Sequence, residues 1–181
     1  MPLAPPTSFT ATTGGFITAA LWNAQVRDAT AFFTAPPSFR AHSEVAQAIP
    51  NNAWTAINLE TEEFDNYGGH STSTNTSRYT CQLAGYYLIT ACAAFNGTVS
   101  TANTRATRVQ LNNTSSLHGS FAKAPAANNA ASSALHSACI AFLQVGDFVE
   151  VQGNQDSGVS VNTSATSGDV TSSLTVLWVS N

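Results

Sequence analysis

Residues 64–69 read FDNYGG, and residues 78–89, after a polar connection, read RYTCQLAGYYLI. The first run, with its Asp-Asn pair and two glycines, is typical of a turn. The second predicts a short strand, a tight connection centred on Gly85, and a strand in which aromatic and aliphatic residues alternate. Residues 143–151, LQVGDFVEV, repeat this arrangement around a Gly-Asp turn. All three runs predict antiparallel β-structure.

Short alternating segments continue from residue 39 to the C-terminus, separated by Asn, Gly, Ser and Thr. Many short strands without intervening helices predict an all-β, antiparallel sandwich. The last run, LTVLWV at 174–179, is apolar on both faces and is therefore expected in the middle of a sheet or at a subunit interface. Segments 123–129, 154–158 and 163–169 are predicted to be loops. The ten predicted strands are Phe39–Ile49, Trp54–Leu59, Ser77–Leu83, Tyr86–Phe95, Arg105–Leu111, Ser115–Phe121, Ser133–Leu143, Phe148–Gln152, Gly158–Asn162 and Ser172–Val179.

The N-terminal region predicts one amphipathic helix, which begins after Thr18 as N-cap, runs through Phe33 and is ended by the prolines at 36 and 37. One face carries an apolar row, here called the anchor stripe. A solitary helix of this length is marginal in water, so its stripe is expected to pack on its own domain, on sister chains or on another protein. The chain divides into a leader and anchor helix at 1–37 and a head at 38–181. The anchor stripe comprises Trp22, Val26, Ala29 and Phe33.

Charge is scarce in this 181-residue chain, in which charged residues make up 9% and the formal net charge is −4. A single lysine and scattered arginines form no basic patch, which argues against nucleic-acid binding. No apolar run is long enough to insert into a membrane, and residues 1–13 lack the features of a secretory signal peptide. The odd number of cysteines argues against a complete disulfide framework and predicts buried thiols at Cys81, Cys92 and Cys139.

No catalytic or metal-binding pattern can be assembled from the sequence. The four histidines lack zinc-ligand spacing, no Ca²⁺-loop run of aspartates occurs, and no G-x-S-x-G motif is present. His136 and Cys139 lie three apart on one predicted strand and therefore point to opposite faces. The acidic cluster of Glu60, Glu62 and Glu63 favours a solvated strand edge over a glycosidase carboxylate pair. We expect no enzyme activity, no cofactor and no metal.

The order and spacing of these runs resemble the C1q/TNF-like jelly-roll family over about Phe39 to Val179. The family carries an aromatic-Asp turn, a Gly-Tyr strand and a late Gly-Asp turn. The resemblance implies a ten-stranded jelly roll assembled as a tight homotrimer, with loops at its apex, and a binding head rather than an enzyme. The residues that carry the resemblance are Phe64, Asp65, Tyr67, Gly85, Tyr86, Gly146 and Asp147.

The N-terminal segment is similar to the anchor of small structural proteins of actinobacterial tailed phages. Residues 18–29 read TAALWNAQVRDA and are followed by Phe32-Phe33 and Pro36-Pro37. Residues 71–78, STSTNTSR, and 155–158, QDSG, resemble the same group. This likeness implies a trimeric head on the virion surface, assembled in the bacterial cytoplasm, that serves as a capsid decoration, head-fibre or minor tail protein.

The sequence therefore predicts a non-enzymatic virion structural protein whose partners are itself, other virion proteins and, through uncharged apical loops, host glycans. The alternative is a secreted C1q-like lectin or ligand, which a signal peptide or a collagen-like stalk would favour. A depolymerase on the same scaffold would need a carboxylate pair or metal site. The candidate apical contacts are Asn128, Asn129, Asn154, Gln155 and Asp156.

Overall fold

The computed structural model of the chain describes residues 4–7, 9–10, 12–97, 103–127, 131–166 and 170–181. This part of the chain contains fifteen strands, several of them only two residues long. In chain order they are β1 Ser38–His42, β2 Ala48–Ile49, β3 Thr55–Ala56, β4 Thr61–Asp65, β5 Arg78–Thr80, β6 Gly85–Phe95, β7 Thr104–Leu111, β8 Ser115–Ser116, β9 Ala122–Pro125, β10 Ser133–Leu143, β11 Phe148–Gln155, β12 Val161–Asn162, β13 Ala165–Thr166, β14 Val170–Thr171 and β15 Ser173–Ser180.

The strands form two main antiparallel sheets. The five-stranded sheet has the order β10-β6-β15-β1-β4. The six-stranded sheet has the order β3-β11-β7-β8, with β5 also paired to β11 and β9 to β7. Two short ribbons, β12-β2 and β13-β14, complete the described topology. The predicted β-sandwich is confirmed, and the two-faced C-terminal strand β15 lies in the centre of its sheet.

Period-two alternation places one side of each long strand in the core between the sheets. In β15, Leu174 and Val176 are fully buried, and in β11, Val149 and Val151 are fully buried. Since successive side chains of a strand point to opposite faces, their neighbours lie on the outer faces. Aromatic rings fill the centre, where Phe39 stacks on Tyr79 with ring centroids 4.9 Å apart. Tyr87 donates its hydroxyl hydrogen to the carbonyl of Leu83 at 2.6 Å, which satisfies its polar end.

The fifteen strands depart from the ten predicted ones at several places. β13 and the end of β11 fall in predicted loops, and of the predicted strand 115–121 only Ser115–Ser116 is a strand. The predicted strand 39–49 is interrupted after His42, where the Ser43 hydroxyl donates to the carbonyl of Val45 and turns the chain. β4 falls partly in the run that was interpreted as a turn, and β9 falls in the predicted loop 123–129. β4 is an edge strand with Glu62 and Glu63 exposed, in accordance with the solvated edge expected for the acidic cluster.

The N-terminal helical segment is not one uniform α-helix. It consists of α1 Ala19–Trp22, a π-helical stretch Asn23–Asp28, and α2 Ala29–Thr34. Thr18 is the N-cap, and its hydroxyl accepts a hydrogen bond from the backbone N–H of Leu21 at 3.1 Å. Within the described ranges, no helix combines the length and the apolar character that a bilayer span requires.

Candidate functional site

The anchor stripe remains largely uncovered in the isolated chain. Trp22 is 55% exposed and Phe33 is 67% exposed, while Val26 is exposed and Ala29 half-buried. The helix instead docks on the head through Phe32, which is fully buried and meets the Trp178 ring edge-on at a centroid distance of 5.0 Å. In the described structure the head therefore contacts the helix through Phe32 and leaves most of the anchor stripe exposed.

An apolar depression of about 240 Å³ extends the exposed surface of the stripe toward the N-terminus. Phe9 and Ile17 line it together with Leu21, Trp22 and Val26. Exposed apolar surface of this kind is energetically costly in water and marks interaction sites on soluble domains. The helix with its leader thus forms a first candidate binding surface, which contains two of the four predicted stripe residues.

Asp65, the centre of the aromatic-Asp motif, orders the turn that follows β4. Its carboxylate accepts hydrogen bonds from the backbone N–H groups of Tyr67 at 3.1 Å, Gly68 at 2.9 Å and His70 at 2.8 Å. A carboxylate with three backbone donors replaces the ladder contacts that a turn lacks. Phe64, the aromatic residue of the same motif, is exposed on the edge strand. Asp65 therefore stabilises the local backbone conformation.

Asp147 performs the same task in the late Gly-Asp turn. Its carboxylate accepts from the side-chain amide of Asn112 at 2.7 Å and from the backbone N–H of Gln144 at 2.8 Å. Gly146 beside it has φ +91°, a conformation that L-residues with a Cβ rarely adopt. The turn is linked to the segment that follows β5, since the N–H of Cys81 donates to the carbonyl of Asp147 at 2.7 Å. Asp147 and Gly146 therefore stabilise the conformation of this turn.

Gly85 is required because two neighbouring groups approach its backbone. A Cβ at this position would lie 2.4 Å from Nε1 of Trp178 and 2.6 Å from the carbonyl oxygen of Ser180. The substitution Gly85→Ala is expected to destabilise the protein by about 2–3 kcal/mol through overpacking, which lowers the melting temperature by roughly 5–10 °C. Gly158→Ala is the matched control, since its Cβ would meet nothing within 4 Å although φ is +80°. Thermal unfolding that is equal for both variants would contradict the steric argument.

The residues predicted as apical contacts differ in burial and in hydrogen bonding. Gln155 is fully buried, and its amide nitrogen donates to the carbonyls of Ile49 at 3.0 Å and Val159 at 2.7 Å, so it is a structural residue without surface for a ligand. Asp156 accepts from the N–H and hydroxyl of Thr104, and these hydrogen bonds hold the pKa of its carboxyl below the usual value. Asn154 is half-buried and belongs to β11. The predicted contacts Asn128 and Asn129 lie outside the described residues.

The outer face of the five-stranded sheet carries a second apolar surface. Strand pairing aligns Phe142 with Tyr86 and Ile140 with Leu88, while Leu177 lies on the other side of Leu88. Ile140 is 63% exposed, and the rings of Tyr86 and Phe142 meet edge-on at 5.1 Å. We call these five residues the sheet patch. Of the five, the sequence analysis singled out Tyr86 alone, although β10 shows the signal: small and apolar residues occupy both of its faces.

A polar depression of about 430 Å³ lies on the same sheet, beside the sheet patch. Arg40, Thr90, Cys92, His136 and Ser173 are among the residues that line it. The sulfur of Cys92 lies 3.8 Å from Nε2 of His136, and burial raises the pKa of this thiol to about 11. A thiol with this pKa is protonated near neutral pH and is a poor nucleophile.

The three cysteines are free and buried, as predicted. Among the described residues, no three side chains of His, Cys, Asp or Glu converge as metal ligands would. The described histidines that make close polar contacts are used structurally: the His70 ring lies between the Glu62 carboxylate at 3.2 Å and the carbonyl of Thr76 at 3.1 Å. The features that stand out in this molecule are therefore surfaces for contact.

The fold is similar to solved structures of the C1q and TNF-like classes. The globular domain of zebrafish complement 1qA matches with a TM-score of 0.56 and 14% sequence identity, and the match covers 80% of this chain and 99% of that domain. Murine APRIL at pH 5.0 matches with a TM-score of 0.54 and 13% identity, over 78% of this chain and 98% of APRIL. No protein-family model and no curated protein matches the sequence.

These similarities confirm the predicted C1q/TNF-like jelly roll. At such low sequence identity they define the fold and leave the function to the surfaces of this particular chain, because one fold carries many functions.

Proposed function

We propose that this chain is a non-enzymatic structural protein of a tailed-phage virion. It forms a homotrimeric head on the particle surface, is anchored through its N-terminal helix to a capsid or tail protein, and contacts glycans of the bacterial host. In this role it is a capsid decoration, head-fibre or minor tail protein. The likeness of residues 18–37 to phage anchors supports the virion assignment.

One observation carries the proposal, namely that the isolated chain leaves two apolar surfaces without a partner. The sheet patch spans the edge strand β10 and the neighbouring strands β6 and β15, and an exposed apolar surface of this kind marks an interaction site. The anchor stripe lies on the helix, which the head holds through Phe32 alone among its buried residues. Two separate surfaces suit two kinds of contact, with sister chains through the sheet patch and with the particle through the stripe.

The low charge of the chain is consistent with display in an ordered assembly. With 9% charged residues, electrostatic repulsion contributes little to keeping chains apart. A closed homotrimer protects exposed strands and apolar faces from open-ended association, because its contacts are satisfied within a ring. The trimer thus removes an aggregation hazard that the isolated β-sandwich would present.

The experiment that tests the proposal is cryo-electron microscopy of the virion that carries this chain. We expect three-fold density with the mass of three heads and a helical stem entering the particle. Density on the capsid lattice would identify a decoration or head-fibre protein, and density at the distal tail would identify an adsorption protein. Absence of the chain from purified particles would refute the virion assignment and favour a secreted C1q-like lectin or ligand.

A further inference from the structure

The outer face of the six-stranded sheet carries a cluster that neither the fold nor the proposed assembly requires. Strand pairing aligns Gln152 of β11 with Arg108 of β7. The pairing of β7 with β9 aligns Thr107 with Ala122, and one further step places Phe121 beside Arg108. Trp54 precedes β3 on the opposite flank of β11. Residues that are distant in sequence thus meet on one surface, here called the Trp-Arg surface.

Two aromatic rings meet above the strands in this cluster. The rings of Trp54 and Phe121 contact edge to face, with centroids 6.2 Å apart and an interplanar angle of 67°. Trp54 is half-buried, whereas Phe121 is 59% exposed. The guanidinium of Arg108 lies over the Trp54 ring at 4.2 Å from its centroid. This arrangement presents an open phenyl face next to a planar hydrogen-bond donor.

Buried amides hold the guanidinium in position. Nε of Arg108 donates to Oε1 of Gln152 at 2.8 Å, and the side-chain nitrogen of Gln152 donates in turn to the side-chain oxygen of Gln110. Gln152 is only 6% exposed, so this support is rigid. The ion pairs found among the described residues do not involve Arg108. The hydrogen bond that Arg108 makes to a described residue uses Nε, so its terminal N–H groups can donate to an acceptor from outside the chain.

A guanidinium stacked on tryptophan stabilises a sheet surface by itself, but it does not account for Phe121. A phenyl ring exposed to water on a polar sheet face is unfavourable, and the guanidinium beside it can donate further hydrogen bonds. A ligand that has an apolar face and a hydroxyl-bearing edge would cover the ring and accept these hydrogen bonds at once. A pyranose ring is such a ligand, since its C–H groups cover an aromatic face while its hydroxyls accept from the fork of an arginine.

We propose that the Trp-Arg surface binds a pyranose ring of a glycan, with the ring stacked on Phe121 and hydroxyls hydrogen-bonded to Arg108. Asn154, which lies one row away on β11 opposite Ala106, supplies a further amide. This inference rests on the proposed contact with host glycans and moves that contact from the apical loops to a sheet face. The Trp-Arg surface lies on the side of the sandwich opposite to the sheet patch, so it stays accessible in the proposed trimer.

The test is saturation-transfer NMR on the full chain with the methyl pyranosides of glucose, galactose, mannose, N-acetylglucosamine and glucuronic acid as probes. We expect saturation of the ring protons of at least one pyranoside. Phe121→Ala should weaken its affinity about tenfold, since burial of roughly 50 Å² of apolar ring surface corresponds to such a factor. Arg108→Lys, which keeps the charge but removes the planar fork, should also weaken it. Val159→Ala, at another exposed apolar side chain, is the control and should leave binding unchanged.

Absence of saturation for every probe would overturn the inference, and so would equal saturation in the wild type and both variants. The melting temperature of each variant verifies its fold, and if Phe121→Ala fails to fold, Arg108→Lys decides alone. Light scattering on the same wild-type sample reports the trimer separately. Failure to bind sugar therefore remains distinguishable from failure of the proposed assembly.

Discussion

Replacement of Ile140 by glutamate is expected to convert the proposed homotrimer into folded monomers. Ile140 is 63% exposed in the isolated chain and lies on the edge strand β10, directly opposite Leu88 of β6. If the sheet patch is the subunit interface, the substitution buries a carboxylate in an apolar contact, which costs several kcal/mol. A closed ring repeats that cost at each interface. The mass measured by light scattering should fall to one third of the wild-type value.

A matched variant separates the interface from the general effect of an added charge. Val159 is 60% exposed and lies outside the strands, close to β12. Val159→Glu therefore adds the same charge at nearly the same exposure and should leave the trimer intact. Far-ultraviolet circular dichroism should show equal β-structure in both variants. A trimeric Ile140→Glu variant would exclude the sheet patch as the interface, and a monomeric wild type would refute the homotrimer itself.

Much of the fold could be predicted because its decisive signals are local. Buried and more exposed side chains alternate in residues 86–90 and 174–176, because the strand points them in turn to the core and to the outer face. The glycines at 85 and 146 lie where a backbone approach or a positive φ excludes other residues. Alternation and the positive φ at Gly146 depend on neighbouring residues alone, so they remain visible in a single sequence. The close approach at Gly85 comes instead from Trp178 and Ser180, which are distant in sequence.

The features that were missed depend on partners distant in sequence. β9 contains a proline and an exposed alanine, Ala124, and its strand conformation comes from pairing with β7. Helical periodicity selected the row from Trp22 to Phe33, whereas the head holds the neighbouring Phe32 because Trp178 lies beside it. The local sequence pattern of the helix gives no information about Trp178, which is distant in sequence. The sheet patch and the Trp-Arg surface are likewise products of cross-strand pairing.

The double substitution Trp22→Asp with Val26→Asp is expected to abolish incorporation of the protein into virions while its head remains trimeric. Both side chains are exposed in the isolated chain and line the apolar depression that the leader shares with the helix. If the stripe binds an apolar site on a capsid or tail protein, carboxylates at these two positions would have to be desolvated there. This desolvation costs several kcal/mol for each charge. The proposed trimer interface is the sheet patch, so the mass of the head measured by light scattering should not change.

The measurement is quantitative mass spectrometry of purified particles from phage that carry the variant, normalised to the major capsid protein. Ala24→Asp with Thr30→Asp is the matched control, since both residues are exposed on the same helical segment, lie outside the anchor stripe and receive the same charges. The control loses more helix propensity than the stripe variant, because it replaces Ala, whereas Trp, Val, Thr and Asp rank alike, so a loss of incorporation confined to the stripe variant reports on the stripe. Wild-type incorporation of the Trp22/Val26 variant would refute the anchor. Loss of the trimer in that variant would instead show that the three helices bind one another, because the stripe would then belong to the subunit interface.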